Sequence, residues 1–338
     1  MKLYSKEDLN KYYQSLTYDD ISLVPTEISR IKSRKETDTS CEFLDEQLSL
    51  PIISSPMESV TGLEMANELI KLGCLGILNR FDSSLRKILE DSSNGKEIKG
   101  VSIALNTPID VVEKLSVHNY IICIDTANAN NHEVLQKAEE IKKKFNVRVI
   151  IGNIAHGSTL KELEDVGVDA VRVGIGSGSV CTTSIQTGIG IGQVTSLLDV
   201  YFAREESNLK IKIIADGGIK SPGDVVKALA LGADVVMLGR MLAGTKETPG
   251  EVIKYDDQLW KKYRGSASFG VKMKNEFIEG EETMVPYKGA VKNVVDGISD
   301  GLKSSMSYMN CFNLNELRKK DTFTILSDNS FIERLPKK

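Results

Sequence analysis

Cys181 lies in the stretch VGIGSGSVCTTSIQTGIGIGQ, from Val173 to Gln193, which holds six glycines and no apolar periodicity. A run so poor in bulk cannot build a core of its own. It is expected to form a loop whose backbone bends and approaches something closely. Thr182 and Thr183 follow the cysteine directly. A thiol on such an amide-rich loop is placed to act as a nucleophile. The competing role is that of a small buried apolar side chain. Cys74 and Cys123, within or beside predicted strands, fit that role; Cys181, among Gly, Ser and Thr, does not. His118, His132 and His156 fall away from predicted strand ends, and none is an obvious base for the thiol. Activation is left to hydroxyls, a carboxylate or backbone dipoles.

A second chemical signal is ADGGIKSPGDVVKALALGADVVMLGR, from Ala215 to Arg240. It reads as strand, Gly217-Gly218 turn, helix, strand, then Gly239-Arg240. Glycines let backbone N–H groups approach an anion, and a helix N-terminus adds a favourable dipole. The repeated glycine site predicts a phosphate grip and leaves open which phosphate. Asp216 either accepts from ribose hydroxyls or caps the following helix, and spacing alone does not choose.

These groups need elements that gather them. Short β-branched runs at Pro51–Ser55, Leu75–Leu78, Val101–Ala104, Tyr120–Asp125, Val147–Asn153, Ala170–Gly174, Lys210–Ala215 and Asp234–Leu238 predict eight strands. Helical patterns at Leu63–Leu72, Leu85–Asp91, Ile109–Leu115, His132–Lys144, Ser158–Val166, Val194–Glu205 and Gly223–Leu231 alternate with them. Parallel strands buried on both faces read as continuous apolar runs, as these do. Eight strand–helix units favour a closed (β/α)8 TIM barrel over an open doubly wound sheet. In such a barrel the reactive groups gather at the carboxyl ends of the strands, and the loops after strands seven and eight usually grip phosphate. That end would carry Ser54, Ser55 and Met57, then Asp125, Asn153, the Cys181 loop, Asp216 and Arg240. Residues 1–48 are expected to cap or wrap the barrel base. After Leu238 a last helix is expected, then a polar segment, 263–288, and a tail, 289–338. The charged run KMKNEFIEGEET, Lys272–Thr283, is either a solvated loop or a flap over the barrel mouth.

The 338 residues suit a single such barrel. A net charge of −4 argues against nucleic acid or an anionic membrane as partner, so a bound phosphate would be gripped locally. Cys41, Cys74, Cys123, Cys181 and Cys311 have no C-x-x-C spacing, which predicts reduced thiols and neither a disulfide framework nor a zinc site. The polar start MKLYSKEDLNKYYQ is no signal peptide, and no apolar run approaches membrane-spanning length.

LTYDDISLVP (Leu16–Pro25), SSPMESVT (Ser54–Thr61), GIGSGSVCTT (Gly174–Thr183), ADGGI (Ala215–Ile219), YRG (Tyr263–Gly265) and VPYKG (Val285–Gly289) occur in that order. Together they resemble the landmarks of the IMP dehydrogenase / GMP reductase family over nearly the whole chain. CIDTANA (Cys123–Ala129) and CTTSIQTGIGIGQ (Cys181–Gln193) are more similar to the reductase branch. Dehydrogenases usually insert a regulatory domain pair, for which 79–101 has no room, and carry a flap Arg-Tyr pair that activates water. No such pair occurs between Arg264 and Pro286.

The resemblance implies a cytoplasmic, homotetrameric GMP reductase that uses NADPH. Cys181 would attack carbon 2 of GMP, with Thr183 and Glu279 handling protons as ammonia leaves. Ser179, Gly218, Gly239 and Arg240 would hold the phosphate and Asp216 the ribose, and Gly217 and Tyr263 would also bind the substrate. Met57 would pack on the purine, and Gly265, Ser266 and Ala267 would line its edge. Arg80, Asp125, Thr126, Ala127, Ile175 and Gly176 would face the cofactor. Gly176, Gly178, Cys181 and Ser184 would ligate potassium. The chain departs from the family pattern in Glu58, which replaces an aspartate, in Asn79-Arg80, which replaces His-Lys, and in Ser266, which replaces a methionine; its flap is also shorter. The alternatives are a minimal IMP dehydrogenase, an FMN-binding oxidoreductase barrel and a non-catalytic nucleotide-binding barrel.

Overall fold

The computed structural model describes residues 2–81, 83–90, 98–265 and 280–334. Eight parallel strands close into a barrel: β1 (Ile52–Ser54), β2 (Leu75–Leu78), β3 (Gly100–Ile103), β4 (Ile121–Asp125), β5 (Val149–Ile154), β6 (Ala170–Val173), β7 (Lys212–Asp216) and β8 (Val235–Leu238). They follow one another around the barrel in chain order, and β8 pairs with β1. The open sheet is thereby excluded. Each strand lies within two residues of its expected position, because burial on both faces writes it as an uninterrupted apolar run.

Among the described residues the helices between the strands are α1 (Leu63–Lys71), α2 (Ser83–Glu90), α3 (Ile109–Ser116), α4 (His132–Lys144), α5 (Leu160–Asp165), α6 (Gln193–Glu206) and α7 (Pro222–Ala230), with one further short helix, Thr183–Thr187, inside the stretch expected to be a loop. The expected eighth helix does not follow Leu238. The breaker-rich run Gly244 to Gly250 ends in turns, and a three-stranded antiparallel sheet comes next: Ile253–Tyr255, Gln258–Arg264 and Glu282–Pro286. The eighth helix, α8 (Val291–Tyr308), forms only then and packs on α7. Among the described residues no helix is long and apolar enough to cross a membrane.

The barrel interior is an apolar column that includes Ile53, Ile77, Ile150, Ile214 and Met237. Its amino end is plugged by a hairpin, Cys41–Phe43 with Glu46–Leu48, whose Phe43, Leu44 and Leu48 join the same cluster. The two-residue turn puts Leu44 and Asp45 at φ of 49° and 69°. Such turns favour Asn-Gly. A leucine there costs about 1–2 kcal/mol of backbone strain, offset by burying its side chain in the barrel mouth. Residues 15–23 run elsewhere: Ile21–Leu23 pairs with Phe323–Ile325, and Ser15 to Asp19 reach the carboxyl end of the barrel.

Phe43 is fully buried. Phe43→Ala should therefore lower unfolding free energy by about 3–5 kcal/mol, read from the urea midpoint at unchanged slope. A loss below 1 kcal/mol would show that the hairpin is not a plug.

Candidate active site

A cavity of about 840 Å³ opens at the carboxyl ends of the strands, large among small-molecule sites, which run to about 1,000 Å³. Cys181 is half-buried in its wall, and its thiol donates to Thr183 Oγ1 at 3.1 Å. The loop that carries it is held from four sides. Gln193 Nε2 donates to the Val173 carbonyl at 2.6 Å, and Gln193 Oε1 accepts from Ser177 Oγ at 2.8 Å. The Ser177 carbonyl accepts from Gly218 N–H at 3.0 Å. The Leu16 carbonyl accepts from Val194 and Thr195 N–H, and Ser15 Oγ accepts from Gly192 N–H at 2.7 Å. Finally, Glu281 N–H donates to the Val180 carbonyl at 3.0 Å, making Cys181 and Gly280 a bridge pair.

The two glycine sites meet across the cavity. Gly217 has φ of +104°, and a Cβ there would fall 2.3 Å from Ser177 Oγ, so only glycine lets the loop lie against the turn. A Cβ on Gly239 would fall 3.0 Å from the Tyr263 hydroxyl and 3.2 Å from Met57 Sδ. Tyr263 is buried, which raises its pKa, and its hydroxyl takes a long hydrogen bond of 3.4 Å from Ser179 Oγ. Gly218 N–H is already engaged by Ser177, whereas the amides of Gly217, Ile219, Gly239 and Arg240 donate to no described residue. Arg240 is exposed and forms no ion pair with any described residue. The Lys288 ammonium fixes this turn through the carbonyls of Arg240 and Met241.

At the cavity floor the barrel core turns ionic. Arg172 on β6 joins Asp125 Oδ1 at 2.6 Å and Asp216 Oδ2 at 2.9 Å. Burial opposes its charge, and the two carboxylates outweigh that and raise its pKa further. Asn153 Nδ2 donates to Asp216 Oδ2 at 2.9 Å and to the Gly174 carbonyl at 2.8 Å. Arg80 Nη2 lies 3.5 Å from Asp125 Oδ2, while its buried Nε has no hydrogen-bond partner.

Met57, Ser179, Asp216, Gly217, Gly218, Gly239, Arg240, Tyr263 and Gly265 therefore share one wall system with Cys181 and Thr183. Arg80, Asp125, Thr126, Ala127, Ile175, Gly176, Gly178 and Ser184 line the same cavity. Glu279, Ser266 and Ala267 lie outside the described residues, as does most of the charged run 272–283. His156 caps a turn through Nδ1 and lies beside Asp199, away from the thiol.

Asp216 does not cap the following helix; Ser221 does. Asn79 is fully buried, donating to the Thr61 carbonyl and accepting from Phe81 N–H, so only Arg80 of that pair faces the cavity. Glu58 lies 3.3 Å from Arg264 Nη1. Arg264 Nε also lies 2.8 Å from Glu282, an ionic contact outside hydrogen-bond alignment, so Glu58 ties the loop after β1 to the stem of segment 266–279.

Sequence reasoning missed Ser15, Thr17, Tyr18 and Asp19, which line the cavity, and also Arg172, Gln193 and Lys220. Lys220 is paired with Asp19. The signal for Thr17, Tyr18 and Asp19 was LTYDDISLVP itself, read as a landmark and not as a wall, and Ser15 directly precedes it. Arg172 was visible as a lone charge inside an apolar strand.

A family model for the IMP dehydrogenase / GMP reductase domain matches residues 15–337. The inosine-5'-monophosphate dehydrogenase of Borreliella burgdorferi is 33% identical, with 96% of each chain covered. The GMP reductase of Lactobacillus acidophilus is 35% identical over 94% of this chain and 97% of its own. The inosine-5'-monophosphate dehydrogenase of Aquifex aeolicus is 44% identical, over 60% of this chain and 44% of its own. Relatives of both activities thus stand at similar identity.

Burial raises the thiol pKa to about 11 for Cys41, Cys123 and Cys311 and to about 12 for Cys74. At pH 8 iodoacetamide should therefore modify Cys181 first, as the thiolate is the reactive form. Peptide mass spectrometry after partial labelling checks this. Equal labelling of Cys41 and Cys181 would refute the assignment of the reactive thiol.

Proposed function

The chain belongs to the IMP dehydrogenase / GMP reductase family, and on that premise we propose that it is an NADPH-dependent GMP reductase acting as a single barrel domain. Membership makes it a purine nucleotide oxidoreductase that uses a nicotinamide cofactor. The observation that carries the choice of branch is the segment between Arg264 and Pro286, which contains neither arginine nor tyrosine. An enzyme that oxidises IMP must hydrolyse its covalent intermediate and so must activate water. This chain has nothing in that segment to do so.

In the proposed reaction the Cys181 thiolate adds to carbon 2 of GMP. The carbon–nitrogen bond to the 2-amino group breaks, and ammonia leaves after taking up a proton. Splitting one hard displacement into two steps is the benefit of a covalent nucleophile. The nicotinamide cofactor supplies, when bound, the hydride that ends on carbon 2. The carbon–sulfur bond then breaks, Cys181 regains its thiolate and IMP departs.

Thr183, at hydrogen-bond distance from the sulfur, takes up and returns the proton. Glu279, which directly precedes the Cys181-bridged Gly280, assists it. Arg240 and the unengaged amides of Gly217 and Gly239 hold the phosphate with Ser179 and Tyr263, and Asp216 Oδ1 takes the ribose hydroxyls. Met57 packs on the purine, edged by Gly265. Excluding water keeps the adduct from draining to XMP.

The residues present fit both absent partners. Arg80 Nε, buried without an acceptor beside Asp125, is the donor that a cofactor phosphate or carbonyl oxygen would satisfy. Thr126 and Ala127 continue that side to the rim. For potassium, a Cβ on Gly176 would lie 3.3 Å from Gly190 Cα and 3.3 Å from Ser184 Cβ, so the two loop arms are closely packed. The carbonyls of Gly176, Gly178 and Cys181 with Ser184 offer the oxygen donors such an ion takes. By pairing register Ile253, Tyr255 and Met284 share one face of the three-stranded sheet and are exposed on it, a patch suited to burial in a homotetramer.

With GMP and NADPH the protein should release ammonia and lose absorbance at 340 nm, and Cys181→Ala should abolish both. Oxidation of IMP by NAD without GMP turnover would establish the minimal dehydrogenase instead. Thr183→Ala should cut turnover by about 10²–10⁴-fold while the purine adduct on the Cys181 peptide still forms. An unchanged rate would remove Thr183 from the proton path.

A further inference from the structure

The ionic layer at the top of the barrel does something the reaction above does not use. Arg172 rises from β6 inside the barrel with a side chain only 7% exposed. A Cβ on Gly152 would fall 2.4 Å from Arg172 Cβ, so the neighbouring strand leaves a glycine to let the arginine stem pass. The guanidinium then splits its donors. Nη1 goes to Asp125 Oδ1 at 2.6 Å, while Nε and Nη2 go to Asp216 Oδ2 at 3.0 and 2.9 Å. Asp125 ends β4 and Asp216 ends β7, so one rigid fork spans two strands that do not pair with each other.

A buried ion pair is a poor way to stabilise a core, because desolvation can exceed the Coulomb gain. The interior just below is apolar and closed by the Phe43 plug, so folding does not call for a cation here. The charges balance locally: Arg80 and Arg172 face Asp125 and Asp216. Asp216 Oδ2 is saturated by Arg172 and Asn153, whereas its Oδ1 has no partner among the described residues. Asp125 has both oxygens held, one by each arginine.

We propose that Arg172 is a positioning residue that couples nucleotide binding at Asp216 to cofactor binding at Asp125. This rests on the assignment of Asp216 to the ribose and Asp125 to the cofactor. A hydroxyl that draws Asp216 toward the cavity changes its hold on Nε and Nη2. The planar fork passes that change to Nη1 and thus to Asp125. Coupling of this kind is reciprocal: each ligand tightens the other by the same factor. Lysine does not reproduce the link: its ammonium can donate to several acceptors, but it lacks the rigid planar fork that fixes the direction of Nη1 by that of Nε and Nη2.

The test measures binding, not turnover, with the non-reacting pair GMP and NADP⁺ on the full chain. In the wild type GMP should tighten NADP⁺ by at least about 5-fold, the low end of usual coupling. Arg172→Lys should bring that factor close to 1 while each ligand still binds alone and Cys181 still labels first. Asp125→Asn, nearly isosteric, provides a second measurement should the lysine variant not fold. It leaves Arg172 to neutralise Asp216 alone and should weaken GMP binding about 5-fold with no cofactor present, although Asp125 faces only the cofactor side. An unchanged coupling factor in Arg172→Lys overturns the proposal, as does a wild type that binds both ligands independently or an Asp125→Asn variant with wild-type GMP affinity. A wild type that binds neither nucleotide overturns the functional reading beneath it, and this proposal with it.

Discussion

The segment from Gly174 to Gln193 makes only one five-residue helix of its own, Thr183–Thr187, and leaves Ile185 and Ile189 exposed, so Cys181 stands where its neighbours hold it. Gln193 fixes the loop to the end of β6 through the Val173 carbonyl, and Ser177 fixes it to the glycine turn after β7. Leu16 and Ser15 fasten the trailing arm, and Glu281, just before the strand Glu282–Pro286, fastens the loop beside Cys181 through the Val180 carbonyl. Each hold is backbone or amide hydrogen bonding, worth about 1 kcal/mol net apiece. No single one sets the thiol's position, but together they leave it little freedom. This arrangement suits a group that must stay within bonding reach of a ring carbon and still let substrate in.

The same economy explains why the barrel changes character along its axis. From the hairpin plug up to Met237 and Ile214 the interior is apolar and supplies the packing energy. Above that layer sit Arg172, Asp125, Asp216 and Asn153, a connected polar set with nearly every donor and acceptor engaged. A half-satisfied network would be worse than more leucine. Among the described residues, the Oδ1 of Asp216, the orphan Nε of Arg80 and the unpartnered hydroxyl of Tyr18 all belong to groups that line the cavity.

The strands were legible in the sequence because burial on both faces forces an unbroken apolar run, and the glycine sites were legible because Gly217 and Gly218 take positive φ while Gly239 leaves no room for a Cβ beside Tyr263 and Met57. Cys181 and the walls formed by strand ends followed from the barrel rule. What stayed hidden was whatever depends on contacts distant in sequence. Leu16 to Asp19 lie far along the chain from Gln193, and no local pattern says that they touch. Arg172 looked like one charge in a strand because its partners come from β4 and β7. The eighth helix was misplaced because the chain first makes an antiparallel excursion, and the breakers at Gly244, Pro249 and Gly250 were the available warning. Glu58 counted as a departure from a pattern until Arg264 was seen across from it, where the longer acid reaches the flap stem.

Overall likeness does not separate the two chemistries of this family, and the physics shows why. On the proposed mechanism, reduction of GMP and oxidation of IMP would use the same thiol, phosphate grip, ribose carboxylate and hydride site, so most of the cavity would serve either reaction. The reactions part only in what meets that adduct: water or hydride. Identity spread over the chain measures the shared part. On the proposed reading the discriminating part is the sequence between Arg264 and Pro286, which holds neither arginine nor tyrosine and in which Gly280 is preceded by a carboxylate, Glu279, a group suited to moving protons on and off a hydroxyl and unsuited to mimicking an arginine base.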